Sequence, residues 1–172
     1  MPIAIFENLG DDPLTFTIEP RDDTYEVPPL ARIGVRYTLR AGAEDRTSAS
    51  YADRSISFWC DAKMVEVEIV HPGAFDRLLW ALCVKHGCCG SFIDGQDRQV
   101  TDYLPTSGIV TAGQFADLAV KAENYAEGES ASRERSRPRL AALFREHMGS
   151  ESVPAENLVR NLANPFAGPA PA

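Results

Sequence analysis

The chain has 172 residues, 44% of them hydrophobic and 24% charged, with a formal net charge of −8. That is enough for one domain with a real core. No apolar run approaches the roughly 20 residues that span a bilayer. The acidic excess disfavours a broad phosphate-binding face and so nucleic acid. The start MPIAIFENLGDD lacks the basic leader of a signal peptide. The expected compartment is therefore the cytoplasm, where the four cysteines stay reduced.

Pro2–Phe6 is short and apolar and predicts an edge strand, broken by Gly10-Asp11-Asp12-Pro13. Leu14–Ile18 alternates with period two, and Pro20-Arg21-Asp22-Asp23 is turn chemistry. Ala31–Arg40 is the cleanest strand: Ile33, Val35, Tyr37 and Leu39 share one face, and Arg32, Gly34, Arg36, Thr38 and Arg40 the other. Ala41–Asp53 is polar and reads as a loop. Ser55–Cys60 alternates again, and Asp61-Ala62-Lys63 would close a hairpin into Met64–Val70, with Val65, Val67 and Ile69 inward and Glu66 and Glu68 outward.

The stretch His71–Gly90, HPGAFDRLLWALCVKHGCCG, is the longest apolar-periodic run. Phe75, Leu78, Leu79, Leu82, Cys83 and His86 recur at helical spacing, Pro72 suits a first turn, and Gly87 suits the left-handed residue past the end. Ser91–Ile93 and Arg98–Val100 flank Asp94-Gly95, the signature of a small hairpin. Thr111-x-x-Gln114 has the form of a capping box and opens a helix to about Tyr125. Gly128–Pro138 lacks periodicity and reads as a linker. Leu140, Leu143, Phe144 and Met148 predict a third helix ended by Gly149, and Ser152 would cap a fourth over Pro154–Ala163.

Strands crowd into the first part of the chain and helices into the rest. This segregation predicts an α+β fold: an antiparallel sheet from the N-terminal ~100 residues packed against a central helix at about 72–86 and two or three C-terminal helices. The expected organisation is a single domain over 1–163, with a mobile linker at about 127–138 and a disordered tail over 164–172.

Two constellations carry chemistry. Outward Arg32, Arg36 and Arg40 complement Glu66 and Glu68 if their strands are neighbours, and the row is otherwise a face that receives an anion. Cys83-x-x-His86-x-Cys88-Cys89, with Cys60 on a strand, has donors that zinc accepts, but no second paired motif completes the set. A catalytic thiol is the other reading, with Cys88 or Cys89 as nucleophile, His86 or His71 as base and Asp94 or Asp102 orienting it. The pair follows a helix C-terminus, whose partial negative charge opposes a thiolate. The expectation is buried thiols, with no catalytic residue, no metal and no cofactor.

Phosphate-loop, dinucleotide, zincin and nucleophile-elbow motifs are absent. The run SRERSRPR, bearing Arg133, Arg135, Arg137 and Arg139, is partly neutralised by glutamates and reads as solvated. Asn164-Pro165-Phe166 is a tripeptide that some adaptor domains read, but three residues recur by chance and the expected role is a chain end. The sequence thus points to a small acidic protein that binds a protein partner, in the manner of an immunity or adaptor protein, with an acidic surface suited to a basic partner. The alternative is a thiol/imidazole enzyme or zinc sensor built on Cys60, Cys83, His86, Cys88 and Cys89.

Overall fold

The computed structural model describes residues 1–87, 91–93, 96–123 and 130–168. It is an α+β protein with its strands N-terminal and its helices C-terminal. The chain divides into two compact units, Met1–Pro72 with the chain from Leu162 onward, and Gly73–Asn161. Each buries its own apolar residues.

The first unit holds β1 (Ile3–Glu7), β2 (Leu14–Glu19), β3 (Asp23–Val27), β4 (Arg32–Thr38), β5 (Ser48–Ala52), β6 (Ser55–Trp59) and β7 (Met64–Val70). They form two sheets, ordered β1-β4-β7 and β3-β2-β6-β5. The first is antiparallel throughout, whereas β2 and β6 run parallel. Alternation turns Ile33, Val35 and Tyr37 of β4 inward, to meet Phe16 and Ile18 of β2 and Ile56 and Phe58 of β6. Phe6 packs with Phe16 at 5.0 Å and Phe58 at 5.5 Å between ring centroids, and Tyr37 meets Phe58 at 6.1 Å. The two sheets are joined through this aromatic layer.

The expected hairpin from Ser55–Cys60 into Met64–Val70 does not form. The Cys60 amide continues the β2–β6 ladder by donating to the Glu19 carbonyl at 2.7 Å. The Lys63 amide then donates to the Thr38 carbonyl at 2.8 Å, so Asp61–Lys63 is the step from one sheet to the other. β5 lies inside the stretch expected to be loop, and every one of its residues is exposed. An exposed edge strand has no buried face and so no alternation to read.

Buried Asn8 fixes the loops at one end of this unit. Its Nδ2 donates to the carbonyls of Asp12 at 2.8 Å and Val27 at 2.9 Å, and its Oδ1 accepts from the Gly10 amide at 2.9 Å. The backbone of Asn8 also pairs with Leu30 and Ala31, which holds Leu30 at a φ of +61°.

In the second unit, α1 (Ala74–Trp80) runs into one π-helical turn, Ala81–Lys85, closed by the His86 amide on the Ala81 carbonyl at 3.2 Å. Gly87 follows at φ +67°, the left-handed terminator expected there. On this wide turn Cys83 and His86, expected on the buried stripe, are only half-buried. Phe75, Leu78 and Leu82 stay buried in the helical core. β8 (Ser91–Ile93) pairs with β9 (Gln96–Arg98), and the Asp94-Gly95 turn of that hairpin lies outside the described residues.

β10 (Ile109–Thr111) leads into α2 (Ala112–Ala122), capped as expected by Thr111 and Gln114. α3 (Ser130–Met148) starts earlier than the linker expectation allows, with Pro138 inside it. Its run of Arg, Glu and Ala favours helix, and the Arg137–Asp117 ion pair ties it to α2 next to the proline. Phe115 and Phe144 meet at 5.1 Å where α2 and α3 cross. Gly149, at φ +67°, ends α3.

The expected fourth helix is instead β11 (Ser152–Pro154) followed by a short 3-10 turn, Ala155–Asn157. Val153 pairs with Val110, and the Ala112 and Ala155 amides find the carbonyls of Glu151 and Gly108. Three scattered apolar residues give a helix too little to bury, and strand pairing satisfies the backbone instead. Among the described residues no helix is long and apolar enough to cross a membrane.

Replacing Asn8 by Ala strands the Val27 carbonyl and the Gly10 amide. The expected cost is about 1–3 kcal/mol in urea denaturation, with a wild-type midpoint ruling out the anchoring role.

Candidate functional site

The outer face of β1-β4-β7 carries the arginine row. Registers place Ile3, Arg36 and Glu66 in one line across the sheet, Ile5, Gly34 and Glu68 in the next, and Glu7, Arg32 and Val70 in the third. Arg36 meets Glu66 as expected of complementary neighbours, whereas Arg32 meets Glu7 of β1. Arg36 donates through Nε to Glu66 Oε2 at 2.7 Å, with its Nη2 at 2.6 Å, and Arg32 Nε lies 3.4 Å from Glu7 Oε1. Arg40 lies beyond the end of β4, well exposed, with Asp61 at 4.0 Å, and takes no part in the face. Between the two paired arginines Gly34 has no side chain, leaving a slot one residue wide on the middle strand.

A segment of the same chain fills that slot. Arg32 Nη1 donates to Asn164 Oδ1 at 3.1 Å. Pro165 is buried over Gly34, where an added Cβ would overlap its ring and lie 3.1 Å from Phe166 Cε2. The Phe166 amide donates to Glu68 Oε2, and the Arg36 guanidinium sits 4.3 Å from the Phe166 ring centroid. The Ala167 amide closes on the Asn164 carbonyl at 3.0 Å, with Phe166 at φ +60°. This is a tight turn of the type II pattern, with proline second and a left-handed residue third. Residues 164–168, expected to fray, therefore have a seat, because a proline and an aromatic ring find a floor and a cation.

The thiol/imidazole residues are placed differently. Cys60 is fully buried in the β core, and that burial pushes its thiol up, away from the thiolate. Cys83 and His86 lie on the π turn, His71 is exposed, and Asp102 accepts from the Gln99 amide at 2.7 Å as a helix-turn cap. Cys88, Cys89 and Asp94 lie outside the described residues. Among the described residues no three His, Cys, Asp or Glu side chains group as metal ligands do.

Comparison with protein-family models, with curated proteins and with solved structures gives no match. The slot therefore rests on its own geometry. The sequence placed Arg32, Gly34, Arg36 and Glu68 on outward strand faces and singled out Asn164-Pro165-Phe166, but read the tripeptide as a chain end and gave Gly34 no role. A signal for Gly34 was present: a glycine inside a strand marks a close approach of another backbone or ligand.

Two predictions follow from these placements. Gly34→Ala leaves the strand intact and expels the turn, so the Phe166 amide loses hydrogen-exchange protection while β4 and β7 amides keep theirs. Retained protection at Phe166 contradicts the slot. The second concerns pH. Burial holds the imidazoles of His86 and His147 below the ordinary 6.5, aided by Arg139 at His86 and by Arg77 and Lys85 at His147, against the pull of Glu146. As pH falls below 6.5 the unfolded chain takes up these protons first, so stability is full above 6.5 and declines through the window beneath it. Thermal melts from pH 8 to 5 should show this decline, and His147→Gln should flatten it.

Proposed function

We propose that this chain is a non-catalytic protein-binding protein, adaptor-like or immunity-like, that reads its partner with the outer face of β1-β4-β7. The observation that carries the reading is the seat itself. A short peptide turn lies on the face, held at four points by Arg32, Gly34, Glu68 and Arg36. Such a face offers a guanidinium donor, a flat backbone floor, a carboxylate acceptor and a cation for an aromatic ring. Those are recognition groups rather than groups that make or break a bond. The acidic net charge of −8 favours a partner with basic surroundings at long range. The alternative, a thiol/imidazole enzyme or zinc sensor, draws no support from the placement of Cys60, Cys83 and His86.

The full-length chain carrying Pro165→Ser and Phe166→Ala has its slot vacated. A fluorescein-labelled peptide of residues 162–168 should bind it saturably in fluorescence anisotropy, with a Kd on the order of 100 µM, or about 5 kcal/mol. Adding Arg36→Ala should weaken that binding by roughly tenfold, the cation–ring contact being lost. No saturable binding up to about 2 mM overturns the reading.

A further inference from the structure

The geometry points to Asn164–Phe166 as a built-in competitor, holding the place of a partner protein's Asn-Pro-aromatic turn. This rests on the peptide-binding reading above and adds to it the ligand's chemistry and the regulation of the seat.

The ligand's chemistry follows from what the face contacts. Arg32 takes a side-chain oxygen, here the amide of Asn164. Gly34 takes a ring with no backbone N–H of its own to satisfy, and buried Pro165 meets that need. Glu68 takes a backbone amide, exposed to it by the turn, and Arg36 takes an aromatic face. An extended strand would present its amides at a different spacing, so the class recognised is a turn. A charged peptide end meets a guanidinium or Glu68, and a nucleotide meets the two arginines, but neither brings the amide-free ring over Gly34 together with a backbone amide for Glu68.

The resident segment fits the face incompletely. Phe166 holds a left-handed φ of +60° that favours glycine, so its backbone is strained where it sits. Ile3 and Ile5 lie on the same face, in line with Arg36 and Gly34, and remain 44% and 42% exposed. A partner turn whose flanking side chains reach across β1 would cover both. Other proteins thus have contacts available that the resident segment does not use.

The resident segment compensates by being tethered. Oδ2 of buried Asp76 accepts from the Gly73 amide at 2.9 Å and from the Asn161 amide at 3.0 Å. The chain's departure after β7 and its return before Asn164 are therefore pinned on one carboxylate, and a loop from Gly73 to Asn161 acts as a link of a few residues. A short link gives a local concentration in the millimolar range, which a free peptide must outcompete.

The comparison uses full-length wild type and the full-length Pro165→Ser/Phe166→Ala variant, matched by circular dichroism. Should that variant fold differently, Phe166→Ala alone, which drops the ring and leaves a side chain strained at the left-handed position, serves in its place. The labelled 162–168 peptide should bind the vacated chain about tenfold or more tightly than wild type. A peptide with Phe changed to Ala should bind neither. A displayed random-peptide library selected on the vacated chain should return Pro-aromatic cores. Equal affinity for both chains overturns the competitor while leaving the peptide-binding reading intact. Selected sequences without Pro-aromatic overturn the assigned ligand class, and binding to neither chain overturns the inference and the reading together.

Discussion

The outer face of the three-stranded sheet depends on a missing side chain. β4 is the middle strand, so whatever stands at position 34 sits between β1 and β7 with neighbours on both sides. With glycine there, the floor is bare backbone, and the flanking Arg32 and Arg36 become walls instead of members of a closed charge ladder. Each arginine still has its carboxylate partner across the sheet, and each has a second face left over. Arg32 spends that face on the Asn164 amide, and Arg36 spends it on the Phe166 ring. A row of ordinary cross-strand pairs would have been worth a few tenths to one kcal/mol per pair. The gap at Gly34 lets the same charges hold a third layer.

The legible parts of the chain were those with one buried face. Ile33, Val35 and Tyr37, and Val65, Val67 and Ile69, announced β4 and β7 by alternation, and the opposite parity set arginines and glutamates on one outward face without saying which would pair. The Thr111–Gln114 cap was equally local. What stayed hidden was non-local or featureless. The parity of Ile56 and Phe58 is the same whichever sheet β6 joins, so alternation could not exclude the hairpin with β7. β5 has no buried residue to read. The π turn at Ala81–Lys85 follows from one hydrogen-bond register, which a periodicity of 3.6 does not report, and Cys83 and His86 lie on it half-buried. The seat of Asn164–Phe166 joins residues more than a hundred positions apart, beyond the reach of any window.

The two cores differ in how they are filled. The β unit closes on overlapping aromatics, Phe6, Phe16, Tyr37 and Phe58, which lock the two sheets in one register. The helical unit closes on aliphatic and alanine faces around the Phe115–Phe144 pair. Because each unit buries its own apolar residues, the outer face of β1-β4-β7 is backed by a packed layer that does not depend on what lies on that face. A rigid floor keeps Gly34, Glu68 and the two arginines at fixed spacing whether or not a turn is seated.

That separation matters for how firmly the turn is held. A left-handed phenylalanine costs on the order of 1 kcal/mol or more. A cation over a partly solvated ring returns about 0.5–1 kcal/mol, and an amide donated to a carboxylate returns roughly 1.5–3 kcal/mol. Ordering the turn costs about 1–2 kcal/mol for each residue fixed, and burial of Pro165 over Gly34 offsets part of it. Opposing contributions this similar leave a small margin, unlike the buried aromatic layer beneath, where removing one ring costs about 3–5 kcal/mol. The seat is therefore exchangeable on a scaffold that is not. A tight and unstrained fit would have made Asn164–Phe166 part of the core, whereas a strained turn on a rigid floor is suited to being replaced.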